Sequence, residues 1–332
     1  MFEGSIGPDS LAVLRSTRPV IANARSVAIV PDAVEATAAL LANAELAPPE
    51  WETGIHFRDD TWRTAAWVLV LDALNFCFWS WAGDLDERWT VDYDGTRYDG
   101  YWALVAALRK AIDRGQPLWD ADYLLTAPDA ELVAIFDPAD SGGVPIPQLE
   151  RRVAHLREVG VGLRETPIEE LISAANGSAV ALADAVRRRF PSFNDIVLID
   201  GQEVRFLKRA QILIADLHGA FGGAGLGKFH DLHELTAFAD YKVPQVLRRF
   251  GVLRYSSDLE AALHARQLIP ANSPWELEIR AATIWGCELI RQALVAQGKP
   301  LMAMEIDWAL WLTGQELPAG TEPYHRTPTI FY

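Results

Sequence analysis

The sequence predicts a mainly α fold with small β-hairpins, and three observations predict it. Apolar residues recur at three- and four-residue spacing through most of the chain. Prolines and short polar residues stand at the heads of those runs, where helices start. Strand-like stretches are confined to two short pairs, each closed on an Asp-Gly dipeptide.

From 10 to 46 the chain is alanine-rich, and Pro19 and Pro31 divide it into short helical pieces. Asp59-Asp60 offers an N-cap to a long helix whose apolar positions run Trp62, Ala66, Leu69, Ala73, Phe76 and on through 79–81. Residues 89–93 and 96–98 flank Asp94-Gly95 as a hairpin. Helices are expected next over 101–114, 147–159 and 167–190, the last two opened by Pro147 and Pro167. A second hairpin, 196–199 with 203–206 about Asp200-Gly201, feeds a helix over 207–219 that Gly222, Gly223, Gly225 and Gly227 break. Further helices are expected over 230–239, 243–250, 258–265, 275–296 and 301–312. Without repeats or an evident linker, the expectation is one compact domain over 1–332, divisible at most into two intimate helical lobes at about 1–190 and 191–332.

The formal net charge is −15, and so acidic a surface repels the phosphates of a polynucleotide, though a local basic pocket can still grip one phosphate. Cys77 and Cys287 each sit in an apolar stretch, the pattern of buried thiols in a reduced, cytoplasmic protein. The first four residues lack the basic and apolar regions of a signal peptide. The most apolar window, 65–82, holds Asp72 and Asn75; a mid-membrane Asp costs roughly 3 kcal/mol, so it reads as a buried helix and no membrane contact is expected. Nothing in the chain points to an obligate protein partner.

Five stretches carry candidate chemistry. Asn75, Phe76 and Trp79 close the apolar helix; core packing explains the rings, but an amide beside rings also makes a slot for a heterocyclic base, with Tyr98, Tyr101 and Trp102 able to complete it. Lys208, Arg209 and Gln211 open a helix, as a solvated basic end or as an anion clamp with the first-turn amides. Asp231, within His230-Asp231-Leu232-His233, and Asp240, shortly before Pro244, are each read as a helix cap or as a site carboxylate. Finally Trp275, Glu278 and Trp285 share a helix face, and Glu276–Arg280 is an i,i+4 pair.

Residues 235–251 look like the Asp-bearing stretch of helix-hairpin-helix DNA glycosylases, with Lys242 at a position where that pattern has His. Over residues about 62 to 332 the chain resembles, more specifically, the queuosine salvage family of nucleotide N-glycosylases, which release queuine from queuosine 5′-phosphate. The resemblance is carried by Leu74-Asn75-Phe76-x-Phe78-Trp79, Tyr98-x-Gly100-Tyr101-Trp102 and Phe190-Pro191-Ser192-Phe193-x-Asp195. It continues through Phe206-x-Lys208-Arg209-Ala210-Gln211-Ile212-Leu213-x-Ala215-Asp216 and Phe238-Ala239-Asp240-Tyr241-x-Val243-Pro244-Gln245. Glu276-x-Glu278-Ile279-Arg280, Trp285, Glu288-Leu289-Ile290-Arg291 and Pro323-x-His325-Arg326 complete it.

The resemblance implies a helical, DNA-glycosylase-like fold, no metal or other cofactor, and queuosine 5′-phosphate as substrate. It implies that Asn75 and a carboxylate read the guanine-like edge while Phe76 and Trp79 stack. Asp240 or Asp231 would be the catalytic carboxylate, with Lys208 beside it. Lys208, Tyr241, Lys242, Arg280 and His325 become candidates for the phosphate; Tyr101, Glu278 and Trp285 are further candidate contacts. Two other readings stay open: a metal-dependent nucleotide phosphohydrolase using His218, His230, Asp231 and Asp240, and a base-binding protein without catalysis.

Overall fold

The computed structural model describes residues 7–44, 51, 54–80, 87–139, 143–318 and 320–332; Trp81 and residues 1–4, named above, lie outside them. Its first element, α1 (Val13–Ala22), runs straight through Pro19 instead of ending there, because its face Val13, Leu14, Thr17 and Ile21 is held in the core. A short strand, β1 (Val27–Ile29), leads to α2 (Pro31–Ala42), which Pro31 does open.

Next comes α3 (Trp62–Ala73), capped by the Thr61 side chain on the Arg63 amide at 3.2 Å, with Asp59 two residues outside bonding Thr61 and Thr64. Every residue from Thr64 to Ala73 is buried. The helix ends eight residues before the expected 81, since two guanidinium groups take its last carbonyls. Arg209 bonds Ala73 O at 2.5 Å, and Arg152 bonds the oxygens of Leu74 (2.5 Å), Phe76 (2.6 Å) and Cys77 (2.8 Å).

Both hairpins form as expected. β2 (Thr90–Tyr93) pairs with β3 (Thr96–Asp99) across Asp94-Gly95, whose φ values of 47° and 75° are what a type I′ turn requires. Beyond them, α4 (Gly100–Asp113), α5 (Ala121–Thr126), α6 (Asp129–Ala134) and α7 (Leu149–Glu165) follow; α5 and α6 are too short for their periodicity to show. The helix expected over 167–190 is two, α8 (Ile168–Ala174) and α9 (Ala179–Arg189), split where Asn176 and Gly177 both turn to positive φ. β4 (Ile196–Ile199) and β5 (Gln202–Arg205) form the second hairpin and lead into α10 (Lys208–Ala220).

No helix forms over 230–239. Only one 3₁₀ turn, Leu232–Glu234, is present, and the chain then runs extended. Side chains from elsewhere take its amides: Gln211 Oε1 accepts from Thr236 N and Asp307 Oδ1 from Phe238 N, each at 2.8 Å. Then come α11 (Val243–Arg249), β6 (Leu253–Tyr255), α12 (Ser257–His264), α13 (Pro274–Ala296) and α14 (Ala303–Gln315). β6 pairs antiparallel with β1, a bond between distant segments that no local pattern announced. The fold is mainly α. One hydrophobic cluster runs from Leu11 to Leu310, with α3 packed on α7 and α10, and α13 against α1, α2, α11 and α14. Among the described residues no helix is long and apolar enough to cross a membrane.

Candidate functional site

The C-terminal end of α3, the start of α4, one face of α10, the extended segment 238–242, α14 and the chain's last residues enclose a cavity. The face of α10 is set by spacing: Lys208, Ile212 and Asp216, four residues apart, all line it. Rings supply most of the wall. Trp51 and His56 sit 4.4 Å apart between ring centres; Tyr101 meets Trp102 at 5.3 Å and Trp311 at 5.6 Å; Tyr241 meets Tyr324 at 4.9 Å. Phe76 and Phe78 form another side, with the Arg152 and Arg209 guanidiniums 4.3 and 5.2 Å from the Phe76 ring centre. Such a cavity suits a flat heterocycle.

Asp240 stands just before α11. Its Oδ1 accepts from Lys242 N at 2.9 Å and Val243 N at 2.8 Å, which pins the carboxylate on the helix start. Its Oδ2 has no protein hydrogen-bond donor among the described residues and is left to the cavity. Burial pushes the Asp240 carboxyl above the usual range, and the Lys208 ammonium and those two amides oppose this. Burial likewise lowers Lys208, while the charges of Asp240 and then Asp72 oppose this; its Nζ donates to Asn75 O at 3.3 Å. Each group therefore favours the charged form of the other, against a burial that disfavours both.

Two more carboxyls line the cavity. Asp307 is pushed well above its ordinary value by burial and by the charge of Asp240. Asp216 is raised as far, by burial and by Asp72, which lies behind the wall and is itself lifted to about 7 by burial. His56, whose Nε2 lies 3.2 Å from the Tyr101 hydroxyl, is lowered to about 4 by burial and is neutral at physiological pH. Two cations reach the rim: Arg88, held by Asp99 at 3.0 Å, and Lys242, 5.5 Å from the centre of the Tyr324 ring.

Of the residues singled out in the sequence, Asn75, Phe76, Tyr101, Trp102, Lys208, Asp240, Tyr241 and Lys242 line this cavity. The others are placed elsewhere, each for a visible reason. Asp231 caps α9, its carboxylate accepting from Ala179 N at 2.5 Å and Ser178 Oγ at 2.6 Å. The Oε2 of Glu278 accepts from three consecutive amides, Arg25, Ser26 and Val27, at the start of β1. Arg280 is held bidentate by Asp195 at 3.0 and 2.5 Å, and Trp285 donates to Thr17 Oγ1 at 3.1 Å. Trp79 packs with Phe76 and Cys77 behind the wall. His325, buried beside Tyr332 and lowered to about 3, is no cation at neutral pH.

Trp51, His56, Arg88, Asp216, Asp307 and Trp308 also form the wall, a role that their sequence context, Asp216 apart, does not announce. Asp216 was the one a local signal pointed to, since it repeats the spacing from Lys208 through Ile212. The four side chains of the metal-dependent reading are not gathered: Asp240 faces the cavity, Asp231 caps α9, and His218 Nδ1 lies 3.0 Å from Gly227 O. Among the described residues no three His, Cys, Asp or Glu side chains come together as a metal cage.

The sequence model of the queuosine salvage protein family matches residues 55–332, the span that contributes all of this cavity except Trp51. The chain belongs to that family. A protein of Sphaerobacter thermophilus named queuosine 5′-phosphate N-glycosylase/hydrolase is 50% identical over 327 residues, 98% of each chain. Proteins of the same name from Dictyostelium discoideum and Mus musculus are 39% and 34% identical, covering 81% and 98% of this chain and 78% and 100% of their own. The resemblance seen in the motifs thus extends to nearly the whole chain.

The placement of Asp231 makes a prediction. Asp231→Ala removes a cap and should lower unfolding stability by about 1–2 kcal/mol while leaving turnover near wild type. Chemical denaturation and steady-state rates check both halves; a collapse of turnover in a folded variant would return Asp231 to the chemistry.

Proposed function

We propose that this chain hydrolyses the N-glycosidic bond of queuosine 5′-phosphate and frees queuine. The observation that carries the reading is Asp240: buried, fixed through one oxygen on the start of α11, open to a ring-walled cavity through the other, and accompanied by Lys208. The names of the relatives, covering most of their length and of this chain, point to the same substrate.

Breaking this bond builds positive charge on the ribose and negative charge on the departing base. A carboxylate at the sugar stabilises the first and can accept a proton from attacking water. Lys208 supports this by favouring the ionised form of Asp240 against burial. Arg88 and Lys242, on the rim, are the cations placed to meet a 5′-phosphate, and the rings and Asn75 receive the base. Two unpaired, buried cysteines fit the proposed cytoplasmic setting, and the −15 charge fits a mononucleotide better than a polynucleotide.

Incubation with queuosine 5′-phosphate, followed by chromatography, should show free queuine and ribose 5-phosphate, with or without EDTA. Recovery of intact substrate would refute the reading, and loss of turnover with EDTA would refute its metal-free form. The pH profile adds a signed expectation. Turnover needs ionised Asp240, so its acid limb lies above the ordinary Asp value, where burial has moved it. Lys208→Met removes the cation that opposes that rise and should move the limb upward by about one pH unit or more; an unmoved limb would separate Lys208 from Asp240.

A further inference from the structure

We propose that the buried Asp195–Arg280 pair is a positioning device for the reaction, fixing Lys208 and Asp240 at one separation by holding the backbone beside each. The assignment rests on the hydrolase reading above. Neither Asp195 nor Arg280 lines the cavity, yet they are 3% and 2% exposed and stand between two segments that do. On one side Asp195 takes three consecutive amides. Its backbone oxygen accepts from Phe206 N at 3.1 Å and Leu207 N at 3.2 Å, and its Oδ2 accepts from Lys208 N at 3.2 Å. Leu207 has a φ of 53°, a left-handed backbone that residues other than glycine rarely adopt, and its own side chain caps nothing. Asp195 thus supplies the cap that sets where α10 begins and where Lys208 leaves it.

On the other side Arg280 Nε donates to Ala239 O at 3.3 Å, one residue before Asp240, while its two terminal nitrogens bond Asp195 at 3.0 and 2.5 Å. The guanidinium lies 4.0 Å from the Phe206 ring centre and 4.6 Å from that of Tyr332, and Glu276 Oε1 is 3.6 Å away. A rigid planar fork meets the carboxylate and the carbonyl at once, which a single ammonium does not. The bonds therefore run unbroken from Lys208 N through Asp195 and Arg280 to Ala239 O. A buried ion pair gives little net stability once its desolvation is counted, so the geometry it secures is the more telling property.

Arg280→Lys keeps the charge and breaks the fork, so it tests position apart from charge. It should lower kcat about a hundredfold, the cost of a displacement near 1 Å at a reacting centre, with KM close to wild type. Asp240 is faced by Lys208 from α10, Tyr241 and Lys242 beside it, Asp307 from α14 and Cys287 from α13. Of these, Lys208 most strongly favours its charged form. Separation from Lys208 weakens that support, so the acid limb of the pH profile should move upward, by less than in Lys208→Met. In a Lys208→Met background Arg280→Lys should add no further shift. A role in stability alone would lower the denaturation midpoint and leave the limb and the kcat of folded enzyme unmoved, and that result overturns the proposal. Asp195→Asn is the second variant should the lysine chain not fold. Loss of its charge alone moves the limb down and loss of position moves it up, so an upward shift supports the proposal and any other overturns it. Carbon NMR of aspartate-labelled protein reads the Asp240 midpoint without turnover, at the resonance that Asp240→Asn removes. If wild type frees no queuine the hydrolase reading fails, and the movement of that midpoint in Arg280→Lys still decides the positioning.

Discussion

Asp240→Asn should lower kcat about a thousandfold, the middle of the range for removing a positioned acid–base group, with KM and fold little changed. The asparagine carbonyl keeps an acceptor for the Lys242 and Val243 amides, so the start of α11 stays formed. Burial already raises the Asp240 carboxyl, so a neutral replacement relieves desolvation at the same position. On the proposed mechanism only the negative charge at the sugar is lost, and with it the stabilisation of a transition state that the ground state does not share. Steady-state kinetics with queuosine 5′-phosphate, alongside a denaturation midpoint, would measure this. A kcat within tenfold of wild type in a folded variant would remove Asp240 from the centre of the chemistry.

The fold was legible where local chemistry dictates the outcome. Asp94-Gly95 and Asp200-Gly201 announce their hairpins because few residue pairs tolerate two positive φ angles in sequence, and Pro31 and Pro244 stand in the opening turn of real helices. It was not legible where distant groups compete for backbone bonds. Residues 230–239 have helical spacing, but Gln211 and Asp307 capture amides that a helix would need. The β1–β6 ladder joins segments of three residues each, too short to alternate detectably.

The same division explains the site. Lys208, Asn75 and Asp240 were found because each is a polar residue in an apolar run, at the end or start of a helix. Glu278 and Arg280 carry the same signal, yet their partners are the amides of 25–27 and the Asp195 carboxylate, brought close only by folding. A buried charge in sequence is therefore ambiguous between ligand contact and internal ion pair. Asp216 and Asp307 differ from those two in facing a cavity, which only tertiary structure reveals.

Removing Arg152 should be the most destabilising single change that leaves the cavity lining itself untouched. The side chain is fully buried and has four backbone oxygens as partners, those of Pro147, Leu74, Phe76 and Cys77. Arg152→Met retains much of the volume and removes the cost of burying the charge, which favours the variant. Against this, it orphans four buried carbonyls beyond the reach of solvent, each unmet group costing about 1–3 kcal/mol. The second effect wins, for a net loss of about 3–5 kcal/mol as when other buried charged partners are broken. The consequence reaches function, because the oxygens it holds belong to the turn that carries Asn75 and Phe76 into the cavity, and Asn75 O in turn receives Lys208. Arg152→Met should thus show a lower denaturation midpoint and, below that midpoint, a raised KM together with a reduced kcat. Arg152→Lys, which supplies donors without the guanidinium fork, should fall between the two. A methionine variant as stable as wild type would mean that the 74–77 turn is held by its apolar packing alone.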